Sequence, residues 1–347
     1  MEDTYEKFIL DAQNSVVSDY AKDILKNYRE YDGDTGGLIR SVADIFRGSF
    51  LNMDLAVEWI RPVLCLLLLF WLFHMVQNLL KSRIAVSAVQ YFLNMAMAVT
   101  VAVPVYDLLS RACSYMNDIT LFFGVLTPVM GVMTASGGNV AAAGANSVFL
   151  TIFLAVAQFL IDRLVPAMCA VFIGLAMISV VSGDTGTLQF SKWFRNTLFG
   201  ALSVCVTLLF IVIGCQNLTV TSMDTFTAKT LRLLVSNAVP VVGGTIGDAI
   251  RFAGGGLVTV KNATGMASVV FLLAIFLPVL FMLWVTGLIL SALIFVCDYF
   301  SMTLPRAFLG NLKCAFDFSI AGFSAIFIMA IVNIGIFLGG VPALVLS

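Results

Sequence analysis

Long apolar runs are the feature of this sequence that most limits what it can fold into. Two of them, at residues 148–181 and 266–297, are each longer than the roughly 18 apolar residues that indicate a membrane-spanning helix. Hydrophobic residues make up 60% of the 347-residue chain and charged residues only 11%, far from the usual balance of a soluble domain. The sequence therefore predicts an all-α, polytopic helical membrane protein.

The first two apolar stretches predict a helical hairpin in the membrane. They cover residues 62–80 and 84–106, and the short turn between them carries Lys81 and Arg83. Basic turns tend to stay on the cytoplasmic side of a membrane. This turn is therefore predicted to be cytoplasmic, and residues 107–118 are predicted to form an outside loop.

Two later basic segments set the rest of the predicted topology. Residues 182–196 and 298–317 carry Lys and Arg side chains and are predicted to be cytoplasmic. Spans at 197–216 and 318–340 then return the chain to the outside. One or three crossings fit between residues 107 and 182. The prediction is six or eight crossings, with the N- and C-termini both outside.

Residues 1–60 differ in composition from the rest of the chain. They hold 12 of the 20 acidic residues and 6 of the 19 basic residues. Apolar residues recur at helical spacing from Tyr5 to Ile24, which predicts an amphipathic helix. We therefore expect a small N-terminal helical region outside the lipid core, followed by a multi-span membrane domain at 61–347. No secretory signal pattern is visible, so we expect either insertion by the first span or a signal upstream.

Residues 119–147 predict a broken or partly re-entrant segment. The first half, ITLFFGVLTPVMGVM, would span only about 22 Å as a helix, less than a hydrocarbon layer of about 30 Å. Pro128 interrupts it, and Gly137 and Gly138 lie in the small-residue stretch that follows. Small residues let helices approach closely. These three residues are therefore candidates for a tightly packed functional segment.

Residues 225–265 predict a second broken segment. An amphipathic helix should end before a proline, a glycine pair should form a turn, and a run of three glycines should end a short second helix. Asp248 and Arg251 lie three positions apart and so share one helix face. Backbone groups freed at such breaks cannot face lipid, so the segment should pack on protein, line a watery cavity or lie at the membrane surface. Its candidate functional residues are Pro240, Gly243, Gly244, Asp248, Arg251, Gly254, Gly255, Gly256, Lys261 and Asn262.

Asp162 and Arg163 lie in the middle of the 148–181 run, which would be about 50 Å long as one helix. A charge at the centre of a bilayer costs about 2.5–3.5 kcal/mol on insertion scales. Two helices that turn at DRLVP are therefore predicted in preference to one straight helix. The pair would be solvated in such a turn, and a role in ion movement is the alternative.

His74 shares a predicted helix face with Gln77 and Asn78. Hydrogen bonding between helices near the membrane end is favoured for this cluster, and a polar lining is the alternative. With a single histidine and no CxxC pair among the seven cysteines, no metal or cofactor site is predicted. Motifs of phosphate-binding loops, GxSxG hydrolases and HExxH proteases are absent, so no catalytic residue is predicted. The net charge of −1 gives no reason to expect nucleic acid as a partner.

The order of VSNAVPVVGGTIGDA and GGGLVTVKNATG, followed at once by a long apolar span, closely resembles the stage III sporulation protein AE family of endospore-forming Firmicutes. LTPVMGVMTASGG at 126–138 and LVPAMCAVFIGLAMISVVS at 164–182 agree with the same family. The resemblance covers roughly residues 40–345.

This resemblance implies a non-enzymatic, multi-pass protein of the mother-cell membrane that surrounds the forespore. It implies a place in the transport channel complex that joins the two cells, with the other stage III A membrane proteins, a cytoplasmic ATPase of that complex and stage II protein Q as partners. No catalytic residue or cofactor is implied. Two alternatives remain: a secondary transporter or permease with a broken-helix substrate site, and a membrane scaffold that only recruits partners.

Overall fold

The computed structural model describes residues 60–76, 83–136, 140–183, 185–209, 211 and 243–339. Every regular element in these ranges is helical and none is a strand, so the predicted all-α class is confirmed. The elements are α1 (Ile60–Val76), α2 (Arg83–Ser136), α3 (Val140–Phe159), a π-helical turn (Leu160–Leu164), α4 (Val165–Ser182), α5 (186–209), α6 (Gly243–Tyr299) and α7 (Thr303–Gly339).

Four helical stretches within the described residues are long and apolar enough to cross a membrane. They are Ala88–Val132, Leu150–Ser182, Ser268–Tyr299 and Thr303–Gly335. A shorter apolar helix covers Ile60–Phe73. Many large apolar side chains lie on the outside of the bundle, as expected where lipid replaces water; Leu68 is 59% exposed, Phe92 73% and Phe295 71%. The predicted membrane protein is thus confirmed.

Helices α6 and α7 form an antiparallel hairpin. The chain reverses at residues 300–302, where the Met302 N–H donates to the Cys297 carbonyl at 2.9 Å. Farther along the two helices, the rings of Phe276 and Phe327 lie 4.9 Å apart. The hairpin contributes many of the fully buried aromatic side chains, among them Phe271, Phe308 and Phe316 in addition to Phe276. Aromatic pairs of this kind stabilise a core beyond the effect of the area they bury.

Helices α4 and α5 form a second hairpin that packs on α7. Gly183, with φ of 68°, supplies the left-handed conformation that ends α4, and α5 begins three residues later. Cys169 of α4 lies 3.2 Å from Ser319 of α7, and Leu175 farther along α4 contacts Asn311 earlier in α7. Helix α4 therefore runs antiparallel to α7, and α5 returns parallel to it.

Helices α2 and α3 pack together at the other end of the bundle. The rings of Phe123 and Phe153 join them at a centroid distance of 4.8 Å. Phe122 of α2 also packs on Phe271 of α6 at 4.3 Å. At the opposite end, Trp71 of α1 lies 5.3 Å from Phe300 in the α6–α7 turn.

The predicted outside loop at 107–118 and the predicted break at 119–133 are wrong, because α2 is helical through both. Asp107 and Arg111 form an ion pair one helical turn apart, which is compatible with a helix. Farther along, buried side chains such as Phe122 and Phe123 pack against α3 and α6. Pro128 lies on the exposed side of α2, and tertiary packing outweighs the hydrogen bond that it removes.

The predicted turn at DRLVP is also wrong. Helix α3 continues through the π-helical turn at Leu160–Leu164 into α4, so the apolar run forms one helical stretch. A π-turn inserts an extra residue without ending the backbone hydrogen bonding. Pro166 is the second residue of α4, directly after the π-helical turn.

The predicted breaks within 243–265 differ from the structure as well, since α6 is continuous from Gly243 to Tyr299. Each glycine lowers helix propensity by about 1 kcal/mol relative to alanine but does not prevent a helix. In a low-dielectric setting a helix satisfies every backbone group, which favours continuity. The remainder of the second predicted broken segment, 225–242, lies outside the described residues.

Residues 298–317, predicted as a cytoplasmic segment, form the tight turn and the first part of α7. Much of that part is buried, including Phe308 and Phe316. The predicted long span at 266–297 is one helix with Pro278 inside it. Residues 1–59, which make up nearly all of the predicted N-terminal region, lie outside the described residues.

Candidate functional site at a polar helix junction

Polar side chains gather where α4, α5 and α7 meet, and we call this set the polar junction. It consists of Thr187, Ser191 and Arg195 of α5 with Asn311 and Asp317 of α7. The three α5 residues recur every four positions and therefore follow one helix face. The apolar residues on that side of α5, including Phe194 and Phe199, pack against the core.

Asn311 is the buried centre of the polar junction, with no exposed surface. Its Nδ2 donates to the Leu175 carbonyl of α4 at 3.3 Å and to Thr187 Oγ1 of α5 at 3.4 Å. One side chain thus connects three helices. The adjacent Gly310 makes this approach close, because a Cβ there would lie 2.5 Å from Cδ1 of Leu188.

Two buried polar atoms of the junction have no hydrogen-bond partner among the described residues: Asn311 Oδ1 and Ser191 Oγ. A buried polar group without a partner costs about 1–3 kcal/mol. The junction therefore retains hydrogen-bonding capacity that the helices themselves do not use.

Arg195 and Asp317 form an ion pair between α5 and α7. Arg195 Nη1 donates to Asp317 Oδ2 at 2.5 Å, and both side chains are 23% exposed. The guanidinium also contacts Asn196 Oδ1 at 3.1 Å and lies 5.6 Å from the centre of the Phe199 ring. Phe199 stacks on Phe318, so aromatic packing holds the charged pair in place.

The chemistry of the polar junction favours a structural or binding role. It brings together amides, hydroxyls and an arginine–carboxylate pair, and the buried Cys314 of α7 lies between Asn311 and Asp317 in the sequence. Over the described residues, no group of three or more His, Cys, Asp and Glu side chains is placed to hold a metal ion. The junction fixes α5 against α4 and α7.

The outer face of α5 begins with aromatic and basic side chains. Phe190 is 49% exposed, Trp193 is 62% exposed and Lys192 lies between them. Later on the same helix the exposed residues become apolar, as at Val204 and Leu208. This order is typical of a helix that enters a membrane from its interface.

The structure places the predicted residues of the second broken segment along one helical backbone. Gly243, Gly244, Asp248, Arg251, the three glycines at 254–256, Lys261 and Asn262 all belong to α6. Their side-chain positions and Pro240 lie outside what the structure describes, so their functional role stays a prediction. Gly137 and Gly138 lie outside the described residues as well.

The predicted intramembrane polar residues do not come together. His74 lies in α1, and only its backbone is described. Asp162 and Arg163 are exposed in the π-helical turn, and Pro128 is exposed on α2. The sequence did not single out Asn311 or the Arg195–Asp317 pair, because residues more than 120 positions apart give no local signal. The amphipathic pattern of LQFSKWFRN was the available indication that α5 has a polar face.

Comparisons with known proteins agree with the resemblance seen in the sequence. The family model described as Stage III sporulation protein AE (spore_III_AE) matches residues 22–292. Stage III sporulation protein AE of Bacillus subtilis (strain 168) is 23% identical over 292 residues, which cover 78% of this chain and 71% of that protein. No solved structure matches the chain. Since the family model covers more than half of the residues, this all-helical membrane protein belongs to the stage III sporulation protein AE family.

Proposed function

We propose that the chain is a non-enzymatic integral membrane component of the transport channel complex between mother cell and forespore, required for endospore development. The observation that carries the proposal is the family match, which runs from residue 22 to residue 292 and so includes α1 to α5 and most of α6. The proposed partners are the other stage III A membrane proteins, a cytoplasmic ATPase of that complex and stage II protein Q. The proposed location is the mother-cell membrane around the forespore.

The proposed topology has six crossings, with α3, the π-helical turn and α4 counted as one. The α4–α5 turn and the α6–α7 turn lie at the same end of the bundle, since Asn311 early in α7 contacts Leu175 late in α4. The contact of Trp71 with Phe300 places the later part of α1 near that end too. We call this the basic end, because Lys192, Arg195, Arg306 and Lys313 lie in the adjoining parts of α5 and α7.

The basic end is proposed to face the cytoplasm, following the positive-inside tendency. With α1 running toward that end, the chain then alternates in direction through α7, which puts both termini outside. This assignment also supplies a cytoplasmic surface that an ATPase partner is able to reach.

Deletion of the gene in the sporulating host, with complementation by the full chain, tests the proposed function. We expect the deletion to abolish late forespore gene expression and heat-resistant spores, and a tagged wild-type chain to surround the forespore. Normal sporulation of the deletion strain would contradict the proposal. Loss of gene expression with intact recruitment of partners would favour a passage, whereas loss of recruitment would favour a scaffold.

Asp248 and Arg251 remain proposed functional residues of α6. Each is to be substituted singly by the opposite charge, and then both together, in the same complementation assay. We expect the single reversals to lower late gene expression and the double reversal to restore it in part. Normal sporulation from all three variants would show that this pair does not matter.

A further inference from the structure

Lys192 of α5 and Lys313 of α7 are the charged residues beside the polar junction that the proposed function leaves unexplained. Neither ammonium group has a hydrogen bond or an ion pair to any other residue that the structure describes. Lys192 is exposed, whereas Lys313 is half-buried. Charged groups that lose contact with water are usually paired, so the two lysines are available to bind an anion.

The two lysines lie at the same level of the groove between α5 and α7. Leu188 faces Gly310 at one end of this stretch, and the ion pair of the polar junction follows seven residues later on both helices. Lys192 shares a helix face with Leu188, and Lys313 shares one with Gly310, at spacings of four and three residues. Because the two helices run parallel, both lysines lie between the apolar contact and the ion pair.

Positive charge exceeds negative charge at this level of the groove. Four charged groups act electrostatically on the buried thiol of Cys314, namely Lys192, Arg195, Lys313 and Asp317. Three of the four are cations, and the one carboxylate is already paired with Arg195. Like charges held side by side repel each other, and an anion between them removes the repulsion. The groove therefore favours an anion that contacts both lysines.

The level of the two lysines coincides with a membrane boundary. Beyond Asp317, residues 318–339 of α7 carry no charge and would extend about 33 Å, enough to cross a hydrocarbon layer of about 30 Å. On α5, Trp193 is 62% exposed next to Lys192, and exposed residues farther along, such as Val204, are apolar. Tryptophan is enriched at the headgroup level of a membrane. Both helices therefore place their last charges at the level of the lipid phosphates.

We propose that the groove between α5 and α7 binds the phosphate of an anionic phospholipid through Lys192 and Lys313. Lysine binds phosphate as a compact point charge, and basic pockets between membrane helices bind lipid headgroups. The acyl chains of the same lipid then lie along exposed apolar side chains of α5, such as Val204 and Leu208. A lipid fits better than a soluble anion because charged and apolar residues follow each other along the groove. The inference depends neither on the sporulation role nor on which side of the membrane the basic end faces.

Quenching of Trp193 fluorescence by lipids with brominated acyl chains tests the proposal on the full chain in vesicles. Trp59→Phe, Trp71→Phe and Trp284→Phe leave Trp193 as the one tryptophan. Brominated phosphatidylglycerol is compared with brominated phosphatidylcholine, each in an excess of unbrominated phosphatidylcholine. We expect the anionic lipid to bind beside Trp193 about twentyfold more tightly, as two lysines produce at an anionic membrane surface.

The contribution of each lysine is measured in the same assay. Lys192→Gln and Lys313→Gln should each reduce the preference for the anionic lipid about fivefold, and the double variant should abolish it. Lys192→Arg/Lys313→Arg keeps both charges and should retain the preference. Arg306→Gln is the matched control, because this basic residue of α7 pairs with Asp298 at 2.7 Å, and it should leave the preference unchanged. Equal quenching of all variants by phosphatidylcholine shows that Trp193 stays at the same depth.

Three results would overturn the proposal. The first is equal binding of the two lipids by the wild type, as expected if the lysines bind an acidic segment of a partner protein. The second is an unchanged preference in the double Gln variant. The third is displacement of the anionic lipid by millimolar glycerol 3-phosphate, which would show that the groove takes a soluble phosphate.

Discussion

Two interhelical ion pairs of the structure differ in how much water reaches them. Arg195 and Asp317 are each 23% exposed, whereas Arg306 and Asp298 are 47% and 40% exposed. We expect Asp317→Ala to lower the free energy of unfolding by about 1.5–3 kcal/mol, because it leaves a half-buried guanidinium without its charged partner. Asp298→Ala should lower it by less than about 1 kcal/mol, as for surface pairs. Equilibrium unfolding in mixed micelles measures both, and equal losses would contradict this account of the polar junction.

The close contact at Gly310 gives a second residue-scale prediction. A Cβ at this position would lie 2.5 Å from Cδ1 and 3.3 Å from Cδ2 of Leu188. Gly310→Ala should therefore lower the free energy of unfolding by about 1 kcal/mol, the low end for overpacking, because the Leu188 methyl groups end a flexible, partly exposed side chain. Gly335→Ala on the same helix is the control, since nothing lies within 4 Å of a Cβ there. The control should be neutral or stabilising by up to about 1 kcal/mol. Similar stability of the two variants would show that α5 does not approach α7 this closely.

At the scale of helices, the structure differs from the sequence-based expectation at the three glycines 254–256. The sequence predicts that the helix ends there, whereas α6 continues through them. If α6 is continuous there, replacing all three with alanine should preserve or raise helicity and stabilise the protein by about 0.5–1 kcal/mol per residue. Gly183→Ala is the contrasting variant, because φ is 68° at that turn and alanine is strained there. Circular dichroism and thermal unfolding in nanodiscs measure both effects. A loss of helicity in the triple variant would contradict a continuous α6 and would support the predicted break at these glycines.

Helix class and the approximate positions of the apolar helices could be predicted from the sequence, because both depend on local composition. The continuity of the helices could not be predicted, because it depends on tertiary contacts between helices that are far apart in the sequence. Phe122 and Phe123 pack on α6 and α3 within a part of α2 that was predicted to be broken by Pro128. The polar junction was missed for the same reason, since Asn311 meets Leu175 and Thr187 only after three helices pack together.

At the scale of the whole molecule, several helices are longer than a bilayer is thick. The apolar stretch Ala88–Val132 of α2 has 45 residues and would extend about 68 Å, more than twice a hydrocarbon layer of about 30 Å. Part of α2 must therefore lie outside the hydrocarbon layer or cross it at a steep tilt. The exposed Asp107–Arg111 pair lies near the middle of this stretch and indicates where the helix leaves the lipid.

The proposed topology places the two ends of the bundle on opposite sides of the membrane. Single cysteines at Thr185 and Ser301, in the two turns of the basic end, and at Ser136, the last residue of α2, test this claim in a background without the native cysteines. With a membrane-impermeant maleimide and protoplasts of non-sporulating cells that express the chain in the cell membrane, Ser136→Cys should react in intact protoplasts, whereas Thr185→Cys and Ser301→Cys should react only after permeabilisation. Reaction of Ser136→Cys and Ser301→Cys from the same side would contradict the account.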